Sequence, residues 1–590
     1  MPSEPFAELD HHFAALLERL AGGSRPTLAL AARLVSQQRR AGHLCLHLPS
    51  VAGQRLAEDD PTPCPPLDTW LADLHAVEPV VGPPGAFAPL ILDSAGRLYL
   101  QRYWAYENRL ARDLLTRAAI TESCDEVRLR AALDQLFPAT GPEPDWQRLA
   151  AETAVRRRLC IITGGPGTGK TRTLVRILAL LQELHDPGQP PLRFALAAPT
   201  GKAAARIQEE VRRAADSLPP GSAAAALRAT EAQTLHRLLG ARPDYATFRR
   251  NAQNPISADV VVVDEASMVD LALMAKLLDA VPPVARLILL GDKDQLASVE
   301  AGAVLNDLCA GPDHPASGIR HPASGIRHPA SSPTLSPCLL TLHRNYRFPA
   351  GSAIHRLSTA INAGDPDAAL AALREPAEVT ARPLPAPGEL AATLAPILLA
   401  AWPEQLSRDP AEMLARLARF RVLCAVREGP YGVHHFNELA EEILTHAGRL
   451  TGTGTHYAGR PILITRNDHA LRLFNGDVGI LLPGADGGLR AFFPAPDGGV
   501  RSFPPARLPV HETVFAMTVH KSQGSEFASV LLVLPERDSP VLTRELLYTG
   551  LTRAREHAAL WFNETIFRQA VARRVERHSG LREALWKIAG

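Results

Sequence analysis

Gly164, Gly165, Pro166, Gly167, Thr168, Gly169, Lys170 and Thr171 follow a short apolar run and fit the pattern G-x-x-x-x-G-K-[ST]. Glycines at these positions let the backbone curl until its N–H groups face phosphate oxygens. Lys170 then reaches the outer phosphates, and Thr171 offers a hydroxyl to magnesium. Downstream, Leu174, Ile177, Leu178 and Leu181 recur at helical spacing, which predicts a helix whose N-terminus lies under the phosphates. A second apolar run ends in Asp264 and Glu265. There Asp264 can hold magnesium through water, while Glu265 can orient and deprotonate an attacking water. These residues predict binding and hydrolysis of ATP with Mg2+, with Thr171 and Asp264 on the metal side.

Nucleotide binding alone is common to switches, kinases, transporters and motors, so the later residues have to discriminate. Gln295, in GDKDQLASVEAG, follows a strand-like run and stands where a strand end would face the γ-phosphate. Arg347 in LHRNYRF and Arg553 in YTGLTRARE come from the second half of the chain. An arginine supplied across a cleft stabilises the charge that builds on a transferred phosphoryl group.

The elements that must position these residues alternate short apolar runs with helical patterns. RFALAAP, ADVVVVDE and ARLILLGD read as strands of a parallel sheet buried on both faces. The same texture returns in ETVFAMTVHK, SVLLVLP, RELLYTGLTRARE and AALWFN, which predicts a second α/β domain. Between about 455 and 511, NGD and DGG turns separate alternating strands, the signal for hairpins in a small β-barrel-like insertion. Residues 1–118 mix helix and strand patterns without a catalytic motif, and two helices split by a turn-rich stretch precede the phosphate loop. The expected division is therefore 1–118, 119–340 and 341–590. Residues 314–333, HPASGIRHPASGIRHPASSP, form a tandem duplication rich in Pro, Ser and Gly and read as a disordered surface insertion.

A chain of 590 residues has room for three or four domains. Its 63 Lys and Arg against 62 Asp and Glu leave a formal net charge of +1, so any nucleic-acid site must be a local groove rather than a basic face. Seven scattered cysteines, none in a C-x-x-C pair, argue against a zinc site, an iron–sulfur cluster or a disulfide framework. The acidic, interrupted N-terminus does not read as a signal peptide, and no apolar run approaches the roughly 18 residues that cross a bilayer. A cytoplasmic protein is expected.

GGPGTGKT, APTGKAAARI, TLHRLLGA, VVDEASM, LGDKDQLASVEAGAVL, NYRF, MTVHKSQGSEF and YTGLTRARE together resemble the ordered motif set of superfamily 1 helicases. More narrowly, with LALAARLVSQQRRAGHLCLHL, LYLQRYWAYE and RNDHALRLFNGDVGI, they resemble the RecD family, the alpha subunits of exodeoxyribonuclease V (RecBCD). The resemblance covers nearly the whole chain. It implies two RecA-like P-loop motor domains, the second carrying the β insertion, behind an N-terminal α+β domain that docks partners. It also implies a 5'-3' DNA helicase acting on single-stranded DNA at duplex ends, assembled with RecB-like and RecC-like subunits in double-strand break repair. By the same resemblance Gln147 would contact adenine, and Gln523, Gly524 and Glu526 would lie near the nucleotide. Pro199, Thr200, Lys202, Thr234 and His236 would line the DNA path on the first motor domain, and Thr518, His520 and Lys521 on the second. A free-standing helicase of the same group and a regulatory ATP-binding subunit without translocation are the alternatives.

Overall fold

The computed structural model describes residues 6–56, 63–138, 144–218, 221–242, 247–311, 335–349, 351–374, 378–450, 454–468, 470–495 and 498–586. The tandem repeat at 314–333 lies outside them.

The valine run Val260–Val263 shows why the first motor sheet forms. Its four side chains are fully buried, Val261 and Val263 in one core and Val260 and Val262 in another. Such alternation requires a layer of helices on each face, and each buried valine contributes about 1.5 kcal/mol or more. Five strands join it, all mostly buried except the edge strand Ala232–Thr234. The sheet runs Leu339–Leu342, Leu159–Gly164, Arg286–Gly291, Val260–Val263, Phe194–Ala198, Ala232–Thr234, every pairing parallel. Since the strands are parallel, all their carboxyl ends lie on one edge, and the phosphate loop, Thr200, Asp264 and Asp292 are collected there. The expected boundary at 340 falls inside the outermost strand, Leu339–Leu342.

The second motor sheet is also wholly parallel, in the order Val379–Pro383, Ala554–Phe562, Phe527–Val533, Phe420–Cys424, Ala516–Thr518. Leu423, Val530 and Leu532 face one core while Val422, Leu531 and Val533 face the other. The run ETVFAMTVHK, expected as one element, is divided. His511–Thr513 pairs antiparallel within the insertion, and Ala516–Thr518 pairs with the motor sheet. A continuous apolar run carries no mark of where the chain passes from one sheet to another.

The insertion is a five-stranded antiparallel sheet ordered Val500–Phe503, Leu489–Pro494, Val478–Pro483, Pro461–Ile464, His511–Thr513. It closes on a small core of its own, Ile462, Ile464, Leu473, Leu481, Ala491 and Phe493. The N-terminal region has a four-stranded mixed sheet and a separate core around Trp70, Leu28 and Leu46. Helix Gln101–Ala119, in contrast, sinks Leu110, Ala111, Leu114 and Ala118 into the core of the first motor domain. No helix among the described residues is long and apolar enough to cross a membrane.

Candidate functional site

The phosphate loop leaves the buried strand Leu159–Gly164 and feeds helix Lys170–Leu184 through Gly169, whose φ of 80° only glycine adopts without strain. Gly167, at φ 85°, is crowded as well: a Cβ there would collide with Arg347 Cβ and Asn345 Oδ1. The glycines that curl the loop thus also let the second half of the chain lie directly against it. Lys170 Nζ donates to the carbonyls of Gly164 at 2.6 Å and Gly165 at 3.1 Å, spanning the mouth of the loop. Thr171 Oγ1 donates to Asp264 Oδ2 at 3.3 Å, which brings the two expected metal-side oxygens together.

Asp264 ends the valine strand and accepts from the Glu265 amide at 2.8 Å. Burial pushes its carboxyl pKa up, and the neighbouring Glu265 adds to the rise while Lys170 and Arg206 oppose it. Glu265 has φ 53°, a left-handed backbone that costs a non-glycine residue about 1–2 kcal/mol and here sets its side chain on the cavity wall. Next along the edge, Asp292 Oδ2 accepts from Gln295 Nε2 at 2.9 Å and from the Tyr548 hydroxyl at 3.1 Å. Burial raises Asp292 to about 6, against the pull of Lys170.

Lys170, Thr171, Asp264, Glu265 and Gln295 wall one side of a cavity of about 320 Å³, a size suited to a small-molecule ligand. The other side comes from the second motor domain and the segment leading into it: Tyr346, Arg347, Gly524, Glu526 and Arg553. Glu526 joins the two. Its Oε1 pairs with Arg347 at 2.5 Å and with Arg206 of the first domain at 2.7 Å, and its Oε2 with Arg555 at 3.0 Å. Burial works against ionisation here, but Arg206, Arg347 and Arg555 prevail and hold the carboxyl at about 2. Arg553 is 3% exposed and donates to the carbonyls of Thr549 and Ser525 at 3.1 and 3.2 Å. Arg347 Nη1 and Arg553 Nη2 are buried without a hydrogen-bond partner among the described residues. Two cationic donors kept unsatisfied beside a phosphate loop fit an anionic ligand, since an unpaired buried donor otherwise costs about 1–3 kcal/mol.

Gln147 and Gln523 stand one layer out. Gln147 Nε2 donates to Thr168 O at 3.2 Å, supporting the loop from behind, and Gln523 Nε2 donates to Leu296 O at 3.0 Å. Leu296 N in turn donates to Thr549 Oγ1 at 2.9 Å, so the segment after Gln295 is bonded twice to the second domain.

The expected DNA-path residues sit at strand ends and in the helical turns that follow them. Pro199 and Thr200 follow strand Phe194–Ala198, and Thr200 caps helix Gly201–Ser217 by accepting from Ala203 N at 3.2 Å. Thr234 caps helix Leu235–Leu239 in the same way, accepting from Arg237 N at 3.3 Å, and Thr518 accepts from Lys521 N at 3.2 Å. Each hydroxyl therefore accepts from a local amide first, Thr200 and Thr234 as helix caps, and keeps its proton for a second partner. His236 is exposed and meets Phe248 edge-on at 5.8 Å. Both lysines already have partners: Lys202 Nζ donates to Ser525 Oγ at 2.6 Å across the cleft, and Lys521 Nζ to Glu512 Oε1 at 2.5 Å. Enclosure pushes the Lys202 ammonium down to about 8, with Arg421 adding repulsion. Burial, with the charge of Arg577, also pushes His520 down.

Sequence reasoning did not single out Arg206, Tyr346, Asp292 or Tyr548. The position of Tyr346 beside Arg347 was a usable signal: it is 57% exposed, and its amide donates to Gly167 O at 2.8 Å. Arg206 lies within APTGKAAARI, but as a basic residue of an amphipathic helix nothing in that stretch set it apart.

Residues 147–301 match the family described as AAA domain, residues 513–561 the UvrD-like helicase C-terminal domain, and residues 3–99 the N-terminal domain of RecBCD enzyme subunit RecD. Among whole proteins, the chain is similar to the RecBCD enzyme subunit RecD of Mycobacterium tuberculosis, 43% identical over 98% of this chain and 94% of the relative. The Mycolicibacterium smegmatis subunit is 41% identical over 99% and 98%, and that of Haemophilus influenzae 36% identical over 83% and 80%.

Proposed function

The chain belongs to the RecD family and is an ATP-dependent DNA helicase, and from that premise we propose that it moves 5'-3' on single-stranded DNA as one subunit of a helicase–nuclease. Its partners are RecB-like and RecC-like subunits, its starting point is a duplex end, and its setting is the cytoplasm, in keeping with seven cysteines that form no disulfide among the described residues. The observation that carries the reading is the divided cavity, with a phosphate loop on one sheet and Arg347 and Arg553 reaching it from the other domain.

In this reading Lys170 and the loop amides hold the β- and γ-phosphates, Gln147 supports the adenine side, and Glu265 orients the attacking water. Thr171 and Asp264 offer two hard oxygens suited to Mg2+, which retains several waters and would neutralise phosphate charge. Arg347 and Arg553 supply their unpaired nitrogens to the charge developing on the γ-phosphoryl group. Gln523, Gly524 and Glu526 close the second domain onto the nucleotide. Gln295 senses the phosphate and passes its state to Leu296, which is bonded to Gln523 and Thr549. Single-stranded DNA runs over Pro199, Thr200, Lys202, Thr234 and His236, then over Thr518, His520 and Lys521, through amides, hydroxyls and a few cations. Residues 1–118 serve as the docking domain.

Two measurements test this. A native pull-down should recover two large partners, and recovery of the chain alone would favour a free-standing helicase. Unwinding should require a 5' tail on the duplex; equal activity from 3'-tailed substrates would overturn the polarity.

A further inference from the structure

Beyond helix Glu564–Ala572 the chain runs as an extended tail to the short helix Leu581–Trp586. The tail leaves the domain it came from. Arg577 Nη1 donates to Glu300 O at 2.5 Å and Gly302 O at 3.1 Å, and Nη2 donates to Ser298 O at 2.7 Å. Those three carbonyls belong to the loop that begins at Gln295. A planar guanidinium can bind three fixed oxygens at once, whereas an ammonium offers only a point charge on a flexible stem.

The same loop is held from the N-terminal region as well. Arg39 pairs with Glu300 at 2.9 Å, and Gly302 N donates to Gly42 O at 3.0 Å. One residue beyond Arg577, His578 N donates to His43 Nδ1 at 3.0 Å, while Leu44 N donates to His578 O at 2.9 Å. The tail is then anchored in the first motor domain. Ser579 Oγ donates to Asp307 Oδ2 at 2.8 Å, Gly580 N to both Glu107 oxygens at 3.1 Å, and Leu581 and Leu585 are buried in that domain's core. The Arg577 charge also acts on His520 of the second domain.

We propose that Arg577 is a positioning residue for the helicase reaction: by gripping Ser298–Gly302 it makes the loop after Gln295 move together with the tail and the N-terminal region. A change at the phosphate sensor then reaches parts of the molecule that touch neither nucleotide nor sheet edge. The inference rests on the cleft being the ATP site. It goes further in giving the tail a part in coupling hydrolysis to movement.

The test uses the full chain in its native complex, with Arg577→Ala and Arg577→Lys compared for KM of ATP, DNA-stimulated turnover and base pairs opened per ATP. Arg577→Ala is expected to leave KM within about twofold while stimulation and base pairs per ATP fall about tenfold, with Arg577→Lys recovering less than half, in the range seen for coupling residues. Unchanged stimulation and stepping in Arg577→Ala would overturn the proposal. So would an Arg577→Lys variant indistinguishable from the parent, because any cation would then suffice. Hydrogen exchange on the unaltered protein removes dependence on the variants' folding. Adding a non-hydrolysable ATP analogue and single-stranded DNA should change protection at Gly302, His578 and Gly580 together, and a change at Gly302 alone refutes the coupling. If Lys170→Gln retained ATPase, the cleft reading itself would fail, whatever Arg577 does.

Discussion

The two parallel sheets meet the cleft with opposite edges. The first presents the carboxyl ends of its strands, where Gly164, Val263 and Gly291 lead into the phosphate loop, Asp264 and Asp292. The second presents amino ends, because Glu526 immediately precedes strand Phe527–Val533 and Arg553 immediately precedes strand Ala554–Phe562. Burial acts on both edges with different results. Asp264 and Asp292 have few cations near them and are raised, whereas Glu526 sits among three arginines and is held down. Two layers of the same architecture thus give one edge that holds phosphate and another that supplies positive charge, and the site exists only when they meet.

The largest effect should come from the phosphate-holding edge. Lys170→Gln is expected to lower ATPase and unwinding about a thousandfold or more with the fold intact by circular dichroism, since both binding and the transition state lose a cation. On the opposite edge, Arg347→Ala and Arg553→Ala should each cost about a hundredfold in kcat with a smaller change in nucleotide affinity. Equal losses of affinity on both edges would erase the division of labour.

Glu526→Gln probes the joint between the sheets. It removes the buried carboxylate that the partly exposed Arg206 and Arg347 and the exposed Arg555 share, and should lower stability by about 3 kcal/mol at neutral pH, measured by denaturant unfolding. The folded carboxyl lies at about 2 against an ordinary 4.5, so its contribution is fully present above pH 4.5 and is lost as pH falls towards 2. Asp292 has the opposite sign. Raised to about 6 from 3.8, it favours the fold below pH 3.8, and that advantage disappears as pH rises through 6. Difference profiles of Glu526→Gln and Asp292→Asn against the parent should therefore slope in opposite directions, and parallel slopes would contradict the contrast.

Gly167→Ala is expected to cost about 1 kcal/mol for its φ of 85°, and more if Arg347 cannot give way. The smallest effect belongs to Tyr548→Phe, which removes one hydrogen bond to Asp292 and should cost about 1 kcal/mol of stability.

Much of the first sheet was legible because its strands are continuous apolar runs and each motif residue follows the end of one. Parallel pairing then sends Lys170, Asp264 and Gln295 to one edge with no further information needed. The second sheet was less legible. Its short strand Ala516–Thr518 merges in sequence with an insertion strand, and only pairing separates them. The roles of Arg206 and Arg577 were hidden for another reason: the partners that define them, Glu526 and the carbonyls of Ser298, Glu300 and Gly302, lie hundreds of residues away along the chain.

The amino-acid sequence by itself determined the phosphate loop, the carboxylates that face it, the parallel sheets and the family, because each depends on residue types at close spacing or on local periodicity. Tertiary structure alone decided which edge of each sheet faces the cleft, that Glu526 ties Arg206 to Arg347, and that the tail reaches back to the loop after Gln295. Those are contacts between distant segments, and their energies arise from burial and charge compensation that exist only once the layers have packed.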